Sequence, residues 1–447
     1  MRRLLQTLGL ARRELRAWAL YDWANSAFAT TVMAAVLPIF YADVAAAPLP
    51  EHVRTAYWGY TTAAALLLTA LLSPVLGAVA DHLNAKKRFL AGFAGVGIGA
   101  TALLAAAGEG MWLYVSLVFI AANVGFAAAN VFYDSLLPHI ARPPERNRVS
   151  TAGFALGYLG GGLLLALHLL WITQPGWFGL PDALAATRLA FLSVALWWVL
   201  FSIPLLRGVS EPPRGLGAGA GGAGARTNPL REGLGRLAQT FREIRRYRPA
   251  FLFLVAFWLY SDGIGTIIKM ATVYGREIGI GATDLIGALL LVQFVGIPCT
   301  FAFGALADRL GAKGGLYAAL GVYTAIAVLG FFMTEAWHFW VLAGAVGTVQ
   351  GGAQALSRSL YASLIPRAQS AEFFAFYSVS GKFAGVVGPA LFGAVSQLAG
   401  GSRWSILSLI AFFLLGWLFL SRVDLEEGRR VALIEGEDHG PNHGQRG

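Results

Sequence analysis

Long apolar runs dominate the hydrophobic pattern of this chain. A helix needs about 20 mostly apolar residues to cross a lipid bilayer, and twelve runs reach about that length. They lie near residues 17–42, 56–80, 88–107, 112–138, 150–173, 187–206, 250–274, 283–306, 315–334, 337–364, 372–398 and 403–422. The pattern therefore predicts an all-α polytopic membrane protein with about twelve transmembrane helices.

The longest polar break divides these runs into two halves of six spans each, residues 1–206 and 250–422. Within the intervening segment 207–249, the glycine- and alanine-rich stretch GLGAGAGGAGA predicts a flexible linker. Apolar residues at helical spacing follow it, with arginines between them, and predict a basic amphipathic helix at the membrane surface. The polar tail, residues 423–447, is predicted to be disordered.

The two halves resemble each other. The segment GAVAD at 77–81 recurs as GALAD at 304–308, an offset of 227 residues, and Tyr133 matches Tyr361 at an offset of 228. At that same offset, glycines of the fifth span match glycines of the eleventh, where they predict close helix packing. Six spans return the chain to its starting side, so the halves are predicted to be parallel repeats.

Composition and charge narrow the class of protein. With 57% hydrophobic and 13% charged residues, most of the chain must be solvated by lipid. The net charge of +10 comes mainly from Lys and Arg in short loops on one side, which indicates cytoplasmic termini and no nucleic-acid partner. These features are typical of a bacterial inner-membrane protein.

Motifs of other classes are absent from the sequence. The single cysteine, Cys299, permits no internal disulfide and no cysteine-based metal site. The chain has no HExxH, no GxSxG and no phosphate-binding GxxxxGK[ST] motif. We therefore expect no enzyme activity, no cofactor, no metal and no nucleotide-driven motor.

Several motifs resemble known transporters. GAVADHLNAKKR and GALADRLGAKGG resemble the loop signature of the major facilitator superfamily, and the resemblance in spans and halves covers about residues 10–422. It implies that Asp81 and Asp308 help to hold one conformation of a carrier. Asn84 stands where the second copy has Gly311, and Asn tolerates the left-handed backbone of that turn.

A narrower resemblance comes from three further stretches. LYDWANSAF at 20–28, NVFYDSLLPHIA at 130–141 and GGAQALSRSLYASLIP at 351–366 are similar to the vacuolar-effluxer, autophagy-related branch of the superfamily and its bacterial relatives. That resemblance implies an exporter of small solutes, with amino acids as the expected cargo.

In facilitator-type carriers the first, fourth, seventh and tenth spans line the central pathway, and here all four carry polar stripes. Residues three, four or seven apart share a helix face, and polar groups within spans are costly unless they face a cavity or a partner. The stripes are Asp22 and Asn25; Asn123, Asn130 and Asp134; Asp262, Thr266 and Lys269; and Gln350, Gln354 and Arg358.

The predicted substrate-binding residues are Asn25, Asn130, Asp262, Thr266, Lys269, Gln350, Gln354 and Arg358. The predicted gating or proton-coupling residues are Asp22, Asp81, Asp134, Asp308 and Lys382. Asp22 and Asp134 are expected near the cytoplasmic ends, and Arg358 nearer the midplane. Arg358 would bind a carboxylate and Asp262 an ammonium group, which suits a zwitterion. Neutralising ion pairs that fix helix packing are the alternative.

The sequence thus favours a secondary active transporter or facilitator that works by alternating access and exports amino acids or similar charged metabolites. A multidrug or sugar permease is the alternative within the same fold. A non-transporting receptor or scaffold is the second alternative. The expected partners are a small solute, membrane lipid and a coupling proton or sodium ion, and the chain is expected to be a monomer.

Overall fold

The computed structural model describes residues 10–82, 86–142, 146–210, 235, 239, 242–365 and 370–438. Within these residues the regular structure is helical and no strand occurs. Nine of the described helices are long and apolar enough to cross a membrane. Helices also occupy the positions of predicted spans 2, 8 and 10: Glu51–His82, the first part of Ala282–Phe331, and Ala336–Ala362.

The N-terminal half contains spans 1 to 6. Their bounds are Arg13–Ala45, Glu51–His82, Lys86–Leu103, Trp112–Ile140, Arg146–Thr173 and Ala183–Gly208. Span 1 is α-helical over Arg13–Ala27 and then π-helical over Phe28–Ala35. Glycines in span 5 let span 1 approach closely: a Cβ atom on Gly157 would lie 2.5 Å from the Ser26 hydroxyl oxygen.

The C-terminal half contains spans 7 to 12. Span 7 is Arg248–Glu277, and spans 8 and 9 form the helical run Ala282–Phe331, which is interrupted at Gly311. Span 10 is Ala336–Ala362, span 11 consists of Ser370–Ala384 and Val387–Ala399, and span 12 is Arg403–Ser421. Gly311 has φ 74° and ψ 158°, a conformation essentially restricted to glycine, and thus differs from the predicted left-handed turn that Asn tolerates.

The tail differs from the prediction of disorder after residue 422. A C-terminal helix occupies Leu425–Asp438 and packs on the C-terminal half. A Cβ atom on Gly428 would lie 3.0 Å from the Pro249 Cβ atom, so this helix lies directly against the first turn of span 7. Lys313 ties the same region to the loop between spans 8 and 9, because its Nζ donates to the Val423 carbonyl at 2.8 Å.

The predicted amphipathic helix in the 207–249 segment falls mostly outside the described residues. So do Asn84 and the side chains of Asp81 and Asp308.

Candidate functional site: a cavity between the two halves

The two ends of the molecule differ. The basic end carries Lys86, Lys87 and Lys313, in or beside the loops that follow spans 2 and 8. At the opposite end, called the closed end here, spans 2 and 11 are in backbone contact. A Cβ atom on Gly59 would lie 2.6 Å from the Pro389 carbonyl oxygen, and one on Gly393 would lie 2.7 Å from the Ala56 carbonyl oxygen. Glycine at these positions permits the close approach that joins the halves.

Polar groups join the halves at the same end. The Glu277 carboxylate accepts hydrogen bonds from the Thr55 hydroxyl in the other half and from the Ser402 hydroxyl and amide, the amide bond being 2.8 Å. Arg276 forms an ion pair with Asp43, with 2.9 Å between Nε and Oδ1. These contacts join the two halves directly, so this end is closed in this conformation.

Toward the basic end, polar side chains of spans 4 and 10 face open space. Asp134, Gln354 and Arg358 are exposed although they lie within helices. Asp134 is within electrostatic range of Arg358 and of Lys382, which belong to the other half. Lys382 also crosses between the halves, because its Nζ donates to the Ser73 hydroxyl at 3.2 Å. The two halves thus present polar groups of both signs to a shared space, which is called the cavity here.

The depth of Arg358 differs from the prediction. Span 10 ends at Ala362, so Arg358 lies about one turn from the basic end, similar to Asp134 before the end of span 4 at Ile140. At the repeat offset of 228 residues, Arg358 matches Asn130, which lies one turn from Asp134 on span 4. This arrangement brings an anion and a cation together at one level of the cavity.

Asn25 and Asn130, both predicted to bind substrate, are brought together across spans 1 and 4. The Asn25 side-chain amide donates to Asn130 Oδ1 at 2.7 Å. Asp22 accepts from the Tyr133 hydroxyl at 2.8 Å, and the Tyr133 ring stacks on Trp18 with 4.4 Å between centroids. The Trp18 indole also donates to the Tyr133 carbonyl at 3.1 Å, so these hydrogen bonds join spans 1 and 4.

Lys269 and Gln350 line two different spaces. Lys269 faces a small recess between the halves that Met33, Thr62, Phe119 and Asn123 also line. Gln350 lines a largely apolar cavity inside the C-terminal half, beside Ile268, Tyr274 and Phe339. Lys269 is thus close to the N-terminal half, whereas Gln350 faces its own half.

Asp262 and Thr266 are buried rather than exposed to the cavity. Asp262 is 3% exposed, and its Oδ2 accepts from the Gly388 amide at 2.8 Å. The Thr266 hydroxyl donates to the Asp262 backbone carbonyl at 2.7 Å. In this conformation the structure does not bring Asp262 together with Arg358 as the two poles of one site.

Some contacts were missed by the sequence reasoning. The predicted site residues do not include Asp43, Arg276 or Glu277, although charges at the matching ends of spans 1 and 7 were a signal for contact between the halves. His168 is fully buried, with Nδ1 3.0 Å from the Thr31 hydroxyl and Nε2 2.7 Å from the Ser193 hydroxyl. A histidine inside an apolar run was the available signal there.

Comparison with known proteins agrees with this architecture. The family described as "Vacuole effluxer Atg22 like" matches residues 49–433. The chain is 38% identical to the uncharacterized MFS-type transporter YxiO of Bacillus subtilis (strain 168), over 94% of this chain and 97% of that protein. It is 24% identical to autophagy-related protein 22 of Coccidioides immitis (strain RS), over 94% and 88%.

Solved structures share the fold at low sequence identity. A bacterial homolog of the human lysosomal transporter Spinster, inward-facing and unoccupied, has a TM-score of 0.63 at 17% identity, covering 96% of this chain and 98% of that one. A D-xylose–proton symporter has a TM-score of 0.66 at 16% identity, covering 95% and 99%. Both likenesses concern the twelve-helix fold alone.

Proposed function

Because the chain belongs to the Atg22-like vacuole effluxer family, we propose that it exports amino acids or similar charged metabolites by alternating access. The chain is an integral membrane transporter of the MFS type. The cargo, the direction of transport and the coupling ion belong to the proposal, and so does its place in a bacterial inner membrane.

One observation carries the proposal: the cavity presents both signs of charge at one level. Asp134 is on span 4, and Arg358 and Lys382 face it from the other half. A guanidinium group suits a carboxylate because it offers planar, paired donors. A carboxylate suits an ammonium group. We assign the ammonium to Asp134 instead of the predicted Asp262, since Asp262 is turned toward Gly388.

The direction follows from the charge of the loops. Lys and Arg concentrate on the cytoplasmic side of membrane proteins, so the basic end and both termini are assigned to the cytoplasm. The cavity then faces the cytoplasm, where an exporter loads its cargo, and the closed end faces outward. Release requires the contacts at Glu277 and the Arg276–Asp43 pair to open.

A sugar or drug permease is the alternative within this fold. A neutral sugar would use the charge of neither Asp134 nor Arg358, and a cationic drug would use only that of Asp134. A non-transporting receptor is the second alternative, and solute flux into proteoliposomes separates it from any carrier.

The test is thermal stabilisation of the purified protein by amino acids, dipeptides, sugars and cationic drugs. A ligand at about 100 times its dissociation constant stabilises the folded state by about 2.7 kcal/mol. We expect amino acids to raise the melting temperature by a few degrees, Arg358→Ala to abolish that rise, and Arg422→Ala to keep it. Arg422 is the matched control because it is exposed at the end of span 12.

The outcomes separate the candidates. A rise with sugars or drugs, and none with amino acids, contradicts the proposed cargo and supports the permease. If amino acids still raise the melting temperature of the Arg358→Ala variant, the proposed binding site is contradicted but the proposed cargo is not.

A further inference from the structure

The second segment of span 11 forms most of the closed end's contact with span 2. Its Pro389 and Gly393 pack on the backbone of that span. Farther along the segment, the Ser396 hydroxyl donates to the His52 carbonyl at 3.1 Å, and Gln397 accepts from the Tyr60 hydroxyl at 2.8 Å. Whatever holds this segment in place therefore holds the closed end shut.

Asp262 of span 7 caps the start of that segment. Val387–Ala399 begins after Val386, whose side chain provides no cap. The first amides of a helix need acceptors, and a negative charge there is favourable. Asp262, on a neighbouring helix, supplies the acceptor and the negative charge, because its Oδ2 accepts from the Gly388 amide at 2.8 Å.

The other carboxylate oxygen of Asp262 is unsatisfied. Oδ1 is buried and has no hydrogen-bond partner among the described residues. The Thr266 hydroxyl beside it donates to the Asp262 carbonyl instead. A buried carboxylate with an unused oxygen is costly as an anion, so the site favours a positive ligand at that oxygen.

No cation is in ion-pair contact with Asp262 among the described residues. On span 7 itself, Lys269 lies within electrostatic range of Asp262, but its Nζ donates to the Gly265 carbonyl at 3.2 Å. On span 11, Lys382 Nζ donates to the Ser73 hydroxyl. Span 12 presents the ring of Phe413 and the Cβ atom of Phe412 to the Gly263 position beside Asp262.

Among the described residues, the charged side-chain contacts of span 7 with other elements lie at the closed end, where Arg276 pairs with Asp43 and Glu277 accepts from Thr55 and Ser402. Toward Asp262 the contacts are with neutral groups. Spans 1 and 2 offer the Ala34 carbonyl to Thr272 and the Trp58 indole to Lys269. Span 10 offers the Ser357 hydroxyl to Tyr260, the remaining titratable group on this stretch of span 7, and span 8 packs Leu285 on Gly275.

The space at Oδ1 is small. A Cβ atom on Gly388 would lie 2.5 Å from Asp262 Oδ1 and still closer to the Thr266 hydroxyl oxygen. Span 11 is therefore in direct contact with both side chains. A proton fits this site, whereas a sodium ion needs several oxygen ligands at longer distances.

We propose that Asp262 is the proton-coupling site of this transporter, and that its protonation releases the second segment of span 11 and opens the closed end. The inference rests on the transport function proposed above and replaces substrate contact as the role of Asp262. A charge-assisted hydrogen bond is about twice as strong as a neutral one. Protonation also removes the anion from the helix terminus. Ionised Asp262 therefore favours the conformation in which the closed end is shut. Protonated Asp262 favours the conformation in which the same end is open.

The test measures the closed end without any solute. Spin labels are attached at Glu51→Cys and Leu398→Cys, two exposed positions at the closed end in opposite halves, in a Cys299→Ser background. We expect the interlabel distance to lengthen when the pH is lowered from mildly alkaline to mildly acidic. Asp262→Asn imitates the protonated form, so its distance should be long at both pH values.

Asp284→Asn is the matched control, because Asp284 accepts from Trp340 within one half and should keep the parental response. Gly388→Ala, which pushes the Asp262 carboxylate away, should also give the long distance if Asp262→Asn does not fold. An unaltered pH response in a folded Asp262→Asn or Gly388→Ala protein overturns the proposal. A distance that responds to sodium in place of potassium at constant pH overturns the choice of the proton.

Failure of the proposed cargo and failure of this inference are distinguishable. The stabilisation test measures the effect of Arg358 on the melting temperature with solute present. The distance measurement tests the effect of Asp262 on the closed end in the solute-free protein.

Discussion

Tyr133 and Tyr323 show how differently two buried hydroxyl groups are treated in this protein. The Tyr133 hydroxyl donates to Asp22 Oδ2 at 2.8 Å. The Tyr323 hydroxyl is buried without a hydrogen-bond partner among the described residues. Leaving a buried donor or acceptor unsatisfied costs about 1–3 kcal/mol, so removing these two oxygens should have opposite effects.

We expect Tyr133→Phe to lower the melting temperature in detergent, because it leaves the Asp22 carboxylate without its donor at a cost of about 1–3 kcal/mol. Tyr323→Phe is the matched control and should leave the melting temperature unchanged or raise it. Equal losses in the two variants would contradict the asymmetry between their environments.

At the residue scale, the sequence predicted which helix faces are polar but not what each side chain contacts. Helical spacing placed Asn25 and Asn130 on pathway-facing stripes, and the structure joins them. Asp262 and Thr266 lie on an equally clear stripe, yet they face Gly388 of span 11. Spacing along one helix defines a face, whereas the partner of that face depends on how distant helices pack.

At the element scale, span 5 receives span 1 along a row of glycines. A Cβ atom on Gly160 would lie 2.7 Å from the Trp23 ring and 2.9 Å from the Trp23 carbonyl oxygen. At Gly162, two residues farther on, the nearest atom would be a ring carbon of Phe294 at 3.9 Å. One helix thus contains a tightly packed glycine and a loosely packed one.

Gly160→Ala should therefore lower the melting temperature, because overpacking costs about 1–3 kcal/mol when backbone must move. Gly162→Ala should be neutral or stabilising, since alanine favours the helix over glycine by up to about 1 kcal/mol. Thermal unfolding of the two variants side by side tests the helix contact. A larger loss for Gly162→Ala would contradict it.

Most spans could be placed from hydrophobicity alone. The interruptions of regular α-helix within the spans could not be placed in that way. The predicted eleventh span, 372–398, is two helices that meet near Gly385 and Val386. Gly385 and the Gly388–Pro389 pair were a signal for this break. The π-helical stretch Phe28–Ala35, which contacts spans 5 and 6, had no comparable signal in the sequence.

At the scale of the whole molecule, the Arg276–Asp43 pair should influence which end is open. Its side chains are 27% and 32% exposed, and a pair of this kind contributes at most about 1 kcal/mol. Arg276→Ala should therefore raise the population open at the closed end by up to about five-fold. Labelling of Ala56→Cys by a membrane-impermeant maleimide, in a Cys299→Ser background, measures this, because Ala56 is buried under Gly393.

Asp43→Ala should give the same increase, and the double variant should exceed neither single one, since the two residues share one interaction. Arg188→Ala is the control, because Arg188 donates to the Ala107 carbonyl within the N-terminal half. Increased labelling in that control would show general loosening instead of gate opening.

The sequence predicted the number of spans, the two halves and their parallel relation, because all three follow from hydrophobic length and an internal repeat. It did not predict which end is shut. Alternating access requires each end to close in turn, so one sequence must encode the contacts that close either end. The set around Glu277 and Gly393 is the one formed here.

The C-terminal helix has a practical consequence. It rests on Pro249 and is tied through Val423 to Lys313, so its anchors belong to the C-terminal half. It must therefore be carried along when that half rocks. A fluorophore on exposed Arg430, paired with one on exposed Arg13 of span 1, would convert each rocking cycle into a change in energy transfer. The C-terminal helix is thus a suitable attachment site for a fluorophore that reports the conformational change of the transporter.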